Sequence, residues 1–257
     1  MNTLVFDIET VPDTDLGRRL HGLDGLSDEQ VAEVMFTKRR QETGSDFLPH
    51  EQHRVVAISV VMRSRDSLKV WSLGEESAPE KDLIERFFDG LEKFTPDLVS
   101  WNGAGFDLPV LHYRSLLHSV TAARYWETGD GDSSFRYSNY LSRFHWRHMD
   151  LMDVLSGFQG RGRASLDAVA TLLGFPGKVG MHGSEVWRVY LQGGLARIRD
   201  YCETDVLNTY LIFLRFQLLR GHLNAAEHAV EVARVRKLLA DSGAAHWQEF
   251  AAAWPAT

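Results

Sequence analysis

Thr3-Leu4-Val5-Phe6-Asp7-Ile8-Glu9-Thr10 is the stretch on which the reading of the fold turns. An apolar run carries the chain toward an interior, and two carboxylates then appear two positions apart. Side chains of a strand alternate between faces, so Asp7 and Glu9 point the same way, about 7 Å apart along the strand. On a buried strand two such acids repel each other and lose hydration unless a cation takes up their charge. The bland alternative is a strand that ends here with both acids in water. For an isolated D-x-E that alternative is the commoner one, so the rest of the chain decides.

Outward from this stretch comes a polar insertion of about residues 12–53. Within it Ser27-Asp28-Glu29-Gln30 has capping-box spacing ahead of Val31, Val34 and Met35 and predicts a helix; the remainder is rich in Gly, Asp and Arg, and parts of it are expected to be mobile. Arg54–Arg63 is a near-continuous apolar run suited to a central strand, and Leu68–Trp71 returns antiparallel after a turn. Ser77-Ala78-Pro79-Glu80 has capping-box spacing before a helical pattern at Leu83, Ile84, Phe87, Phe88, Leu91 and Phe94. Asp97–Trp101 reads as a strand, Phe106–Val120 as a helix and Met149–Leu155 as another strand. Ser165 caps a short helix, Leu195–Arg220 carries a long helical pattern, and extra C-terminal helices occupy about residues 223–254. The order predicts one α/β domain over residues 1–257, compatible with a ribonuclease H-like sheet flanked by helices.

Bulk properties narrow the function classes. The 257 residues carry a formal charge of −7, which argues against a protein that coats nucleic acid through its overall field, but not against a local grip. One cysteine, Cys202, excludes an intrachain disulfide and fits a reducing compartment. With no secretory pattern and no span-length apolar run, the expectation is a cytoplasmic protein without membrane contact. Basic residues gather at Arg136, Arg143, Arg147, Arg161 and Arg163, a pattern that alone describes a solvated face.

Two further acids stand at informative positions. Asp107 follows Trp101-Asn102-Gly103-Ala104-Gly105-Phe106 at a predicted helix start, where a cap is the ordinary role of Asp. A dinucleotide loop fails because Leu108 stands where the third glycine is needed. Asp205 lies four residues after Tyr201 on one helix face, beside the apolar positions Ile198, Cys202 and Val206. His148-x-Asp150 on a strand is more often a satisfied interior histidine than a metal ligand, and Cys202 reads as packing.

FDIET (Phe6–Thr10), WNGAGFDLPVL (Trp101–Leu111) and YCETD (Tyr201–Asp205) resemble, in order, the three motifs of the DEDD 3′–5′ exonucleases. That family divides by whether His five residues or Tyr four residues precedes the last Asp. Asp200 stands at the first position and Tyr201 at the second, so the chain resembles the tyrosine branch. N-x-x-x-F-D-x-P and Y-C-x-x-D are similar to the proofreading domains of family-B DNA polymerases, and most of all to bacterial stand-alone PolB-like 3′–5′ exonucleases. The similarity runs from Thr3 to about Leu219 and includes Gly177–Ser184, while the insertion has no role in it.

The resemblance implies a ribonuclease H-like mixed five-stranded sheet. It also implies a metal-dependent 3′–5′ exonuclease on single-stranded or frayed DNA, releasing 5′-mononucleotides. Asp7, Glu9, Asp107 and Asp205 would hold two divalent cations, Mg²⁺ or Mn²⁺, with Tyr201 orienting the attacking water. Thr10, Asn102, Phe106, Arg161, Arg163 and Lys178 are the substrate-contact candidates; for Phe106 a core role is equally compatible. With no polymerase segment in the sequence, the expected action is in trans beside a polymerase or repair partner. RNA or short oligonucleotides are the rival substrates, and a non-catalytic nucleic-acid-binding module is the rival class.

Overall fold

The structure is a computed structural model that describes residues 2–255. Its frame is a mixed five-stranded sheet in the order β3-β2-β1-β4-β5. The chain enters through β1 (Thr3–Pro12), passes α1 (Thr14–His21) and α2 (Asp28–Thr43), and returns along β2 (His53–Arg63) and β3 (Leu68–Ser72). α3 (Glu80–Phe94), β4 (Asp97–Ser100), α4 (Asp107–His118) and α5 (Ala123–Trp126) follow, then β5 (His148–Asp150) and α6 (Leu151–Leu155). The remainder is helical: α7 (Leu166–Leu172), α8 (Val186–Leu191), α9 (Leu195–Leu219), α10 (Ala225–Asp241) and α11 (Ala245–Ala253). β1 pairs antiparallel with β2 and parallel with β4, which pairs parallel with β5.

Alternation along β1 sorts the core. Leu4, Phe6 and Ile8 pack with α3 and α4, against Ile84, Phe87, Leu108 and Leu111. Val5 belongs to the opposite layer, with Val206, Tyr210 and Leu214 of α9, so the acids that share its parity face α9. Beside them in β2 stand small residues, Ser59 in register with Asp7 and Ala57 with Glu9. These let α9 come close enough for Cys202 Sγ to lie 3.5 Å from the Asp7 carbonyl oxygen. The register slips between Glu9 and Thr10, where β2 carries Val56 as an extra residue, a bulge opposite the point where the acids end.

Three expectations need correction. Met149–Leu155 is not one strand: the strand stops at Asp150, whose carboxylate accepts from the N–H groups of Met152 (3.1 Å) and Asp153 (3.4 Å) and starts a helix. Ser77 does not cap α3. The N-cap is Pro79, and Glu80 turns inward instead, accepting from Val55 N–H at 2.6 Å and Arg114 Nε at 2.8 Å. The insertion folds into α1 and α2 around its own small core of Val31, Met35 and Leu48, and the Ser27–Gln30 capping box is present.

The insertion is fastened by charge. Arg114 on α4 is 5% exposed and ion-paired with both Asp13, which caps α1, and Glu80. His118 joins Glu80 at 2.7 Å. Removing one partner of such a buried set leaves charge without compensation, typically costing about 3–5 kcal/mol. Arg114→Ala is therefore expected to lower stability by about that amount in urea unfolding, whereas truncating Tyr137, 84% exposed, should leave the midpoint in place.

Candidate active site

The sheet and two helix segments bring the motif acids together. Asp107, the first residue of α4, is 4% exposed and accepts from the Ile8 N–H through Oδ1 at 3.1 Å, which pins it between Asp7 and Glu9 of β1. Asp205, 6% exposed on α9, faces the same point and leaves Oδ1 without a hydrogen-bond partner among the described residues. Asp7, Glu9 and Cys202 each bring a donor atom within 4.8 Å of the others.

Electrostatics show what this crowding costs. Burial raises the Asp7 carboxyl well above the usual range, and Asp107, Glu9 and Asp205 push it further. Burial does the same to Glu9, with Asp205 and Asp107 adding and Lys178 opposing. Asp107 is raised to about 7 by burial, tempered by its backbone N–H donors. Asp205 is raised to about 6 by burial, tempered by the Tyr201 hydroxyl and Lys178. Buried oxygen donors with one orphaned atom among them fit a hard divalent cation, which would reverse the repulsion. Cys202 donates weakly to Asp7 Oδ2 at 3.6 Å and stays protonated, its thiol raised by burial and the acids.

Lys178 lies closer to this cluster than its place in a loop suggests. Its Nζ donates to the Tyr201 hydroxyl at 2.8 Å. The loop is held by Asn208, one helical turn beyond Asp205, whose side chain accepts from Gly177 N–H at 3.3 Å and donates to Gly177 O at 2.8 Å. Gly177 has φ of +66°, and a Cβ there would stand 2.5 Å from Asp167 Oδ1, the acceptor for Lys178 N–H. Burial raises the Tyr201 phenol, and Asp205 and Glu9 raise it further, so it remains a neutral donor.

Asp150 was not among the expected site residues, yet it shapes the second motif. It accepts from Asn102 N–H and Ala104 N–H, both at 2.9 Å, as well as capping α6. The loop so held has Asn102 at φ +65° and Gly103 where a Cβ would meet Ser100 Oγ at 2.4 Å. An Asp directly before Leu-Met-Asp-Val-Leu is a helix-cap signal, and this could have ended the strand at the right place. His148 is buried, bonded to Ser100 Oγ at 2.9 Å, and held neutral by burial, its value lowered to about 4.

The remaining substrate-contact candidates are spread out. Thr10 Oγ1 bonds His53 Nδ1 at 2.8 Å, and Phe106 is half-buried against His53, His50 and Phe47. Of the basic run, Arg143 and Arg163 both pair with Asp153, and Arg147 lies over the Phe135 ring at 4.0 Å. Arg161 is exposed and makes no ion pair among the described residues.

Residues 45–254 match the family described as a predicted 3′–5′ exonuclease related to the exonuclease domain of PolB. That span contains Asp107, Tyr201 and Asp205 and begins after Asp7 and Glu9. A DNA polymerase of Archaeoglobus fulgidus is 22% identical over 165 residues, 63% of this chain and 20% of the polymerase. The family B DNA polymerase of the hyperthermophilic archaeon Pyrobaculum calidifontis gives a TM-score of 0.52 at 19% identity, over 85% of this chain and 24% of that one. That likeness is one of fold, a ribonuclease H-like mixed sheet flanked by helices. The chain thus covers a quarter or less of either polymerase.

Carboxyls raised in the folded chain hold protons that the unfolded chain releases. Their favourable contribution is present at low pH and is lost as pH rises through the raised values, about 6 for Asp205 and about 7 for Asp107. The chelator-treated protein is expected to unfold at lower temperature at pH 8 than at about pH 6. Mn²⁺ should restore the loss. Asp7→Asn should raise the metal-free unfolding temperature at pH 8 and abolish most of the Mn²⁺ gain; a variant that still gains as much as the parent would exclude Asp7 as a ligand.

Proposed function

We propose that this chain, which belongs to the family of 3′–5′ exonucleases related to the exonuclease domain of PolB, hydrolyses single-stranded or frayed DNA from the 3′ end to 5′-mononucleotides. The observation that carries this reading is the convergence of Asp7, Glu9, Asp107 and Asp205, each raised in pKa, beside a Lys178–Tyr201 hydrogen bond. DNA is preferred to RNA because the two proteins compared above are DNA polymerases. No helix among the described residues is long and apolar enough to cross a membrane.

In this reading Asp7, Glu9, Asp107 and Asp205 would hold two divalent cations, Mg²⁺ or Mn²⁺. Two such ions supply Lewis-acid stabilisation of the attacking and leaving oxygens of an in-line displacement. The chain's own residues do the positioning. Water oxygen forms the new bond to phosphorus, the bond to the 3′ oxygen of the preceding nucleotide breaks, and that oxygen takes up a proton. Tyr201, a neutral phenol, orients the water and is not its base; Lys178 fixes the phenol and lowers the negative potential felt by an approaching phosphate. Glu9 would hold the terminal 3′ hydroxyl. Asp150 is a positioning residue that keeps Asn102 and Ala104, in the loop ahead of Asp107, in register.

End-labelled DNA and RNA oligonucleotides, incubated with Mg²⁺, Mn²⁺ or chelator, test the whole reading. A 3′ label should leave as mononucleotide from the first time point. Endonucleolytic fragments, or binding without cleavage, would overturn it. Tyr201→Phe should lower kcat on the order of 10–100-fold while its Mn²⁺-induced thermal shift stays close to that of the parent. Loss of that shift to the degree seen for Asp7→Ala would remove Tyr201 from its part in orienting the water.

Arg161, unpaired and exposed, is the better phosphate contact of the basic run. Arg161→Ala should reduce the slope of log affinity against log salt by roughly 0.7 for a single strand. Arg163→Ala should change it less, since Arg163 already answers Asp153.

A further inference from the structure

We propose that Phe47, at the end of the insertion, forms with Phe106 a stacking wall for an unpaired nucleobase of the strand end. This subsite deepens the exonuclease reading and depends on it. The Phe47 ring is 56% exposed, yet its backbone is fixed. Its N–H donates to Ser45 Oγ at 3.2 Å, its carbonyl accepts from Arg39 Nε at 3.0 Å, and the next residue, Leu48, is buried in the insertion's core.

One side of the ring has aromatic neighbours. Its centroid lies 5.3 Å from that of Phe106 and 5.4 Å from that of His53. His53 stands edge-on to Phe106 at 5.0 Å and is held neutral by burial, its value lowered to about 4. His53 in turn bonds Thr10 Oγ1 at 2.8 Å and the Leu48 carbonyl oxygen at 3.1 Å, and His50 Nε2 bonds the Gly105 carbonyl oxygen at 2.9 Å. The wall is therefore tied to the residue after Glu9 and to the residue two before Asp107. The two aromatics more exposed than Phe47 among the described residues, Tyr137 and Phe144, stand in the segment leading into β5, which joins the sheet level with Leu4, at the end away from Asp7 and Glu9.

An exposed aromatic face on a rigid support beside a carboxylate cluster matches what an unpaired base needs. Every base has a π face, so such a contact holds a strand without reading its sequence. It also gives the insertion a part in the reaction: Phe106 comes from the second motif, and Phe47 extends it outward.

The test uses the full chain carrying Asp7→Asn to stop cleavage, and a single-stranded DNA with 2-aminopurine in its 3′-terminal nucleotides. An RNA of the same sequence is run in parallel, since the base face is common to both. Phe47→Leu, which keeps bulk but not the π face, should weaken binding about tenfold and relieve the 2-aminopurine quenching; Phe47→Trp should keep both. In the cleavage-competent chain Phe47→Leu should raise KM about tenfold with a smaller change in kcat, at an unchanged thermal midpoint. Equal binding and quenching by Phe47→Leu and the parent would overturn the subsite, as would equal loss in Phe47→Leu and Phe47→Trp. A parent chain that hydrolyses no strand would instead overturn the exonuclease reading itself.

Discussion

Like charges held together inside a protein are unfavourable unless something else in the fold enforces their approach. Here the enforcement is geometric. β1 contributes Asp7 and Glu9 with a spacing that a strand cannot change, and the Ile8 amide between them takes hold of Asp107 from a helix start. α9 brings Asp205 from the layer above, and small side chains in β2 let it settle. The sheet is stiff because it is buried on both faces, so its stability is available to oppose the repulsion at its end.

The supporting residues share one physical device, a polar side chain saturated by backbone groups. Asp150 receives amides from the second motif and from α6, and Asn208 clasps Gly177 from both sides. Each converts the position of one element into the position of a loop, which is why the loop ahead of Asp107 and the loop that bears Lys178 can be irregular and still have fixed places.

Much of this was readable in one dimension, and the limit of that reading has a cause. That Asp7 and Glu9 share a face follows from strand parity, and that Tyr201 and Asp205 share one follows from helical pitch; that they form one site with Asp107 is what the motif resemblance implies. Asp150 could be seen only as an acid on a strand, because its amide partners lie 46 to 48 residues away. Glu80 satisfied a local capping pattern, yet Arg114 and Val55 outweighed the local donor in three dimensions. The insertion looked loose because its polar composition hides a three-residue core and a buried ion pair. Local rules fail where a long-range partner is stronger than the nearby one.

The Arg114 cluster has an implication for how this chain could have been shortened or lengthened over time. Asp13 lies inside the insertion, whereas Arg114 and Glu80 belong to the sheet's flanking helices. Excising the loop to reach a minimal architecture would leave Glu80 to balance the guanidinium alone and take away the partner of Arg114 Nη1. Loss of the segment thus uncovers one face of the Arg114–Glu80 pair, so the insertion and the buried arginine form one structural unit.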